Sequence, residues 1–157
     1  HYCTSLCVVD DKGPSVALVL NLAHGERFHA VRGEGAFLDS DAIEPTGCNL
    51  LEEAIIGVAG VPPPSLNPRQ YRSFGAAALD LCSVAAGRLD AYIDPLSHHG
   101  VWDYAAGVLI CQEAGAVVGE LQGRDLIHSE HAARRGPVAA ASPDLLAQLG
   151  VEPAIDR

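Results

Sequence analysis

"HHGVWDYAAGVLICQEAGAVVGE", residues 98–120, reads as a loop, a helix and a strand in immediate succession. The helix opens after Gly100, stops at Gly115 and hands over to the strand-like "AVVGEL". Trp102, the only tryptophan in the chain, stands beside Asp103 in the first turn of that helix. The helix dipole favours a negative charge there. A carboxylate next to free backbone N–H groups suits a hard cation with an anion close by. Ala105, Ala106 and Gly107 follow, small enough to admit another element or a ligand. A plainer reading stands beside this one: an ordinary first-turn acid next to a core-anchoring Trp.

Working outward, the same alternation of elements continues on both sides. "GAAALDLCSVAAGRL" places Leu79, Cys82, Val84 and Ala85 at helical spacing, with Gly87 at its end. "LDAYID" follows as a strand and "PLSHHG" as a loop. Downstream, "GPVAAA" reads as a strand and "SPDLLAQLG" as a helix, with Ser142 as N-cap, Pro143 at its first position and Gly150 as stop. Before Gly75 the pattern is different. "HYCTSLCVVD", "SVALVLN" and "RFHAVR" are three short strands joined by tight turns, an antiparallel meander, with Gly33 and Gly35 as turn glycines. "NLLEEA" reads as a helical turn and "IIGVAGV" as a buried strand, before "PPPSLNP" breaks regular structure. No internal repeats occur. The expected class is α/β: an antiparallel sheet from the meander, then a second β layer flanked by the two Ala-rich helices.

With 157 residues, the chain fits one domain; 48% hydrophobic and 19% charged residues make it globular. The net charge of −10 argues against nucleic-acid and anionic-membrane partners, which require basic patches. No apolar run approaches the roughly 20 residues of a membrane span, and the start is not a signal peptide. Five scattered cysteines without a CxxC pair read as small buried hydrophobes in a reducing cytoplasm. Cys3 and Cys7 fall on one strand face. The opening His1, running straight into a strand, suggests a chain whose beginning is missing.

Taken together, "RSFGAAALDLCSVAAGRLDAYID", "WDYAAGVLICQEAGAVVGELQGRDL" and "GPVAAASPDLLAQL", in that order, resemble the second half of the inositol monophosphatase family, Mg-dependent and lithium-sensitive phosphomonoesterases. "HYCTSLCVV" and "AHGERFHAVRGEGAFLD" resemble the family segment that follows its first metal motif, so the likeness covers nearly the whole chain. The resemblance implies an αβαβα sandwich of which this chain carries the later layers, as one domain over residues 1–157 lacking its N-terminal part. It gives Asp103 the role of the family's WD aspartate, a catalytic metal ligand that also contacts a substrate hydroxyl. Gly75 and Ala77 match backbone positions lining the substrate pocket. Asp94 falls where the family has an acid on a sugar hydroxyl, although the loop after it is longer than usual.

The same resemblance exposes what is missing. The family's "DPxDGT" motif and upstream glutamate are absent from these residues, and one acid cannot organise a two-metal site. "PPPSLNPRQ" is also shorter than its family counterpart. The expectation is therefore the C-terminal portion of a phosphatase that hydrolyses a small polyol or sugar phosphate with Mg2+, inactive as this piece alone. The alternative is a shortened, non-catalytic relative serving as a binding or scaffold module. Uncovered apolar faces should drive self-association or pairing with the missing segment.

Other candidates carry less. Adjacent His98 and His99 should point in different directions, giving a solvated loop that edges the pocket rather than a transition-metal site. His128 and His131, near Arg134 and Arg135, read as a surface turn. Asp80 interrupts an apolar helix and calls for a structural partner. Arg72 is open between steering phosphate and pairing with an acid. Ser5 and Ser73 lack a G-x-S-x-G elbow, and no phosphate-binding P-loop is present.

Overall fold

The computed structural model describes residues 2–154. The meander expected as three strands has five: β1 (Cys3–Asp10), β2 (Gly13–Asn21), β3 (Glu26–Val31), β4 (Gly35–Leu38) and β5 (Asp41–Ala42), each antiparallel to the next. Gly35 serves both as the turn glycine expected and as the first residue of β4. Alternation sends Ala17 and Val19 of β2, Phe28 and Ala30 of β3 and Ala36 of β4 to one buried face.

The second half supplies a 3-10 turn at Leu51–Glu53, β6 (Ile55–Val58), β7 (Gln70–Arg72), α1 (Ala77–Ala85), β8 (Ala91–Ile93), α2 (Val101–Ala114), β9 (Val117–Glu120), β10 (Pro137–Ala140) and α3 (Pro143–Gln148). Five of these strands form a mixed sheet in the order β7-β6-β8-β10-β9, parallel across β7-β6-β8 and antiparallel across β8-β10-β9. Both Ala-rich helices, expected to flank the second sheet, pack on one face of it, between the two sheets. Their buried residues join Phe28 and Val19 of the meander and Tyr92 and Val118 of the mixed sheet in one core. α3 covers the opposite face, where Leu145 and Leu146 meet Ile56, Ile93 and Val138. The Ser142 hydroxyl caps α3 by accepting from Leu145 N at 3.2 Å.

The layer order is thus β, α, β, α. Two Ala-rich helices can nest closely because Gly107 lies against Leu81: a Cβ there would stand 2.7 Å from the Leu81 Cβ. The outer face of the meander has no layer over it among the described residues. Leu6 and Val8 are each 58% exposed and Val16 43%. All five cysteines are free thiols, and burial pushes the Cys111 thiol up to about 12. No helix among the described residues is long and apolar enough to cross a membrane.

Candidate functional site

Asp103 is the third residue of α2 and is half-buried. Its Oδ2 accepts from the Gly100 N–H at 3.0 Å, while its own N–H donates to the Gly100 carbonyl at 2.9 Å. This reciprocal pair fixes the helix start. Oδ1 has no protein partner among the described residues. The carboxylate makes no ion pair with an arginine among the described residues.

Two more carboxylates act electrostatically on side chains that Asp103 also reaches. Burial, then the charges of Asp94, Asp80 and Asp103, push the Tyr92 phenol well above its ordinary range. The Cys3 thiol of β1 is raised by burial and then by Asp103 and Asp80. Three acids from α1, the end of β8 and the start of α2 therefore act on the same small region, with the first strand against it. The structural partner that the sequence setting of Asp80 called for is the backbone at Ala76, and it serves only part of the carboxyl. Asp80 is 1% exposed, its Oδ1 has no hydrogen-bond partner, and burial raises its carboxyl to about 7, His99 offsetting part of the rise.

Asp94 is completely buried, and its carboxylate is committed to its own loop. Oδ1 accepts from Leu96 N at 3.1 Å, and Oδ2 accepts from His98 N at 3.1 Å. Burial pushes its carboxyl up, but the His99 hydrogen bond and charge outweigh this and hold it below the ordinary range. Both oxygens of Asp94 thus face backbone N–H groups and imidazoles of the same loop. The two histidines depart from expectation, since their rings converge. His98 Nδ1 lies 3.1 Å from Asp94 Oδ1 and His99 Nδ1 2.6 Å from Oδ2. The loop turns sharply enough for this at Ser97, whose φ is 50°.

Gly75 (φ 84°) is exposed in the turn before α1, and Ala77 is the buried first residue of that helix, one turn ahead of Asp80. Trp102 is not a core anchor. It is 46% exposed, stacked on His131 at 4.7 Å with the Arg134 guanidinium 5.2 Å from the ring centre. The surface turn read around His131 is thereby pinned to the start of α2. Arg72 pairs with no acid among the described residues; its guanidinium donates to the Gln70 side chain and the Tyr71 carbonyl. Sequence reasoning missed Glu120, nearly fully buried, which accepts from the backbone of Gln122, Arg124 and Gly136 and from the Arg124 guanidinium. Its carboxyl falls to about 2: these hydrogen bonds outweigh the opposing effect of burial. It organises the loop that carries His131.

With this geometry in place, comparison with known proteins is decisive about kinship. The model of the inositol monophosphatase family matches residues 1–152. The chain belongs to the inositol monophosphatase family. The inositol-1-monophosphatase of Bacillus subtilis is 29% identical over 144 residues, covering 83% of this chain and 54% of that protein. A bifunctional NADP phosphatase/NAD kinase of Methanocaldococcus jannaschii is 36% identical over 132 residues, 76% of this chain and 23% of its own length. A solved Pyrococcus horikoshii structure, described as having similarities to inositol-1 monophosphatase, superposes with a TM-score of 0.82 at 27% identity, covering 94% of this chain and 60% of that one. The chain thus spans about half the length of the Bacillus relative. The layers described above are the later layers of the inositol monophosphatase fold, and the Bacillus and Methanocaldococcus relatives are named as phosphatases, the latter as an NAD kinase too.

Proposed function

We propose that the protein to which these residues belong hydrolyses a small phosphate monoester, of a polyol or sugar, with Mg2+. The observation that carries this reading is the half-buried Asp103 carboxylate, with a free Oδ1, at the start of α2. A carboxylate oxygen left free in this way fits a hard cation, and the buried Asp80 Oδ1, with no hydrogen-bond partner, marks a place where positive charge or a donor is wanted. Asp103 would hold the ion. When bound, such an ion supplies a water of lowered pKa and stabilises charge on the leaving oxygen.

The chain's own residues set the frame for that chemistry. Gly100 fixes the Asp103 carboxylate through its N–H, the Gly75–Ala77 turn borders the place for the polyol, and the Asp94 loop closes the side beside Tyr92. Magnesium requires more ligands than Asp103 provides. We place the remainder outside these 157 residues, in the same domain, so that this piece alone is inactive. The uncovered outer face of the meander is then the seat of the rest of that domain or of a second copy.

The test is phosphate release from small polyol and sugar phosphates by the full protein, with and without Mg2+. Asp103→Asn keeps an oxygen to accept from Gly100 N but removes the charge, so it should reduce turnover at least a hundredfold with an unchanged melting temperature. Wild-type turnover in that variant, or equal turnover after chelation, would remove the assignment and favour a binding module.

A further inference from the structure

Asp94, His98 and His99 bring two imidazole nitrogens and a carboxylate oxygen within 4.8 Å of one another. The carboxylate is fully buried, whereas the His98 and His99 side chains are 55% and 16% exposed. An ion therefore has an open approach to a ligand that is itself held rigidly. A carboxylate offers roughly four lone-pair positions. Leu96 N and His98 N occupy one on each oxygen, and the two remaining positions face the two Nδ1 atoms. The rings lie 4.5 Å apart, tilted by 34°. Neither ring is turned away, as neighbouring residues in an ordinary loop would be.

We propose that Asp94, His98 and His99 form a binding site for a first-row transition-metal ion of the Zn2+ class, separate from the hard-cation position at Asp103. Two imidazoles and one carboxylate are a borderline donor set, preferred by Zn2+ and its neighbours over Mg2+. Tetrahedral bonds of about 2.0–2.1 Å place donors roughly 3.4 Å apart, so the present 2.6 and 3.1 Å hydrogen-bonded pairs need open by less than about 1 Å. Each neutral ring moves its proton from Nδ1 to Nε2 as the ion enters, with no net proton release. The backbone N–H groups on Asp94 orient it in the way outer-shell donors orient a ligating carboxylate. His99 is followed directly by Gly100, the N-cap of α2, so the ion ties the end of β8 to the start of α2. None of this depends on the phosphatase reading.

The experiment uses the full protein, stripped by chelation and held in excess Mg2+ to fill hard-cation positions. Zn2+ binding is followed by calorimetry and Co2+ binding by visible absorption. Wild type should take up one Zn2+ with micromolar or tighter affinity that Mg2+ does not displace. His98→Ala and His99→Ala should each weaken it at least tenfold, and the double variant at least a hundredfold. The Co2+ spectrum should show d–d bands without thiolate charge transfer, since the five cysteines are the competing ligands. Absence of saturable binding, wild-type affinity in the double variant, or thiolate bands would each overturn the site. If the double variant does not fold, His98→Ala decides, because its ring is half in solvent.

Discussion

Asp80→Asn should change the pH dependence of stability, because a buried carboxyl with an unpartnered oxygen stores a titration in the fold. Its carboxyl titrates at about 7 in the folded chain against 3.8 unperturbed. Between those values the folded state binds more protons than the unfolded state, so stability falls as pH rises and levels off above about 7. The whole difference is about 3 pK units, or roughly 4 kcal/mol. From about pH 5 to about pH 8 it is about 2 units, or roughly 3 kcal/mol. Asparagine cannot titrate, so this loss is absent from the variant. Urea unfolding of both proteins, in chelator, should show the variant gaining on wild type by roughly 2–3 kcal/mol over that interval. A stability difference that does not change with pH would refute the reasoning.

Further outcomes follow from other contacts. Glu120→Ala should cost roughly 3–5 kcal/mol, because it strips a buried, multiply bonded carboxylate from the Arg124 guanidinium and two turns of backbone. The carboxylate's own contribution, carried by its drop to about 2, should persist above about pH 4.5 and fade as pH falls toward 2, visible in acid unfolding of wild type but not of the variant. Gly107→Val should destabilise by about 1–3 kcal/mol in thermal melts, since Leu81 leaves no room between α1 and α2. Replacing Leu6 and Val8 with Lys in the isolated 157-residue chain should shift its size-exclusion profile toward monomer; an unchanged profile would show that the exposed meander face does not drive association.

Much of the architecture was legible because its signals are local. Alternation marked β1 to β3, and Gly115 and Ser142 marked the end of α2 and the start of α3. β4 was hidden because Gly35 carries a turn signal and a strand start in one residue. The placement of both Ala-rich helices between the sheets was hidden because small residues serve equally well on either side of a sheet. For the site, Asp103 was legible from its WD setting, but its company was not. Asp80, Asp94 and Asp103 belong to α1, the loop after β8 and α2, and only the packing of these segments lets all three charges act on Tyr92. The histidine pair misled for the opposite reason: adjacent residues diverge in extended chain, but the left-handed turn at Ser97 and the buried Asp94 fold both rings inward. Trp102 misled through its hydrophobicity; His131 and Arg134 hold it at the surface.

Whether Asp103 is a ligand of the hard cation is tested most directly by titrating the full protein with Mn2+, as a stand-in for Mg2+, and following the free-ion EPR signal. Wild type should deplete that signal stoichiometrically, with Mg2+ competing. Asp103→Asn should bind at least tenfold more weakly while its melting temperature stays within a degree or two of wild type. Equal Mn2+ binding by the two proteins would contradict the account.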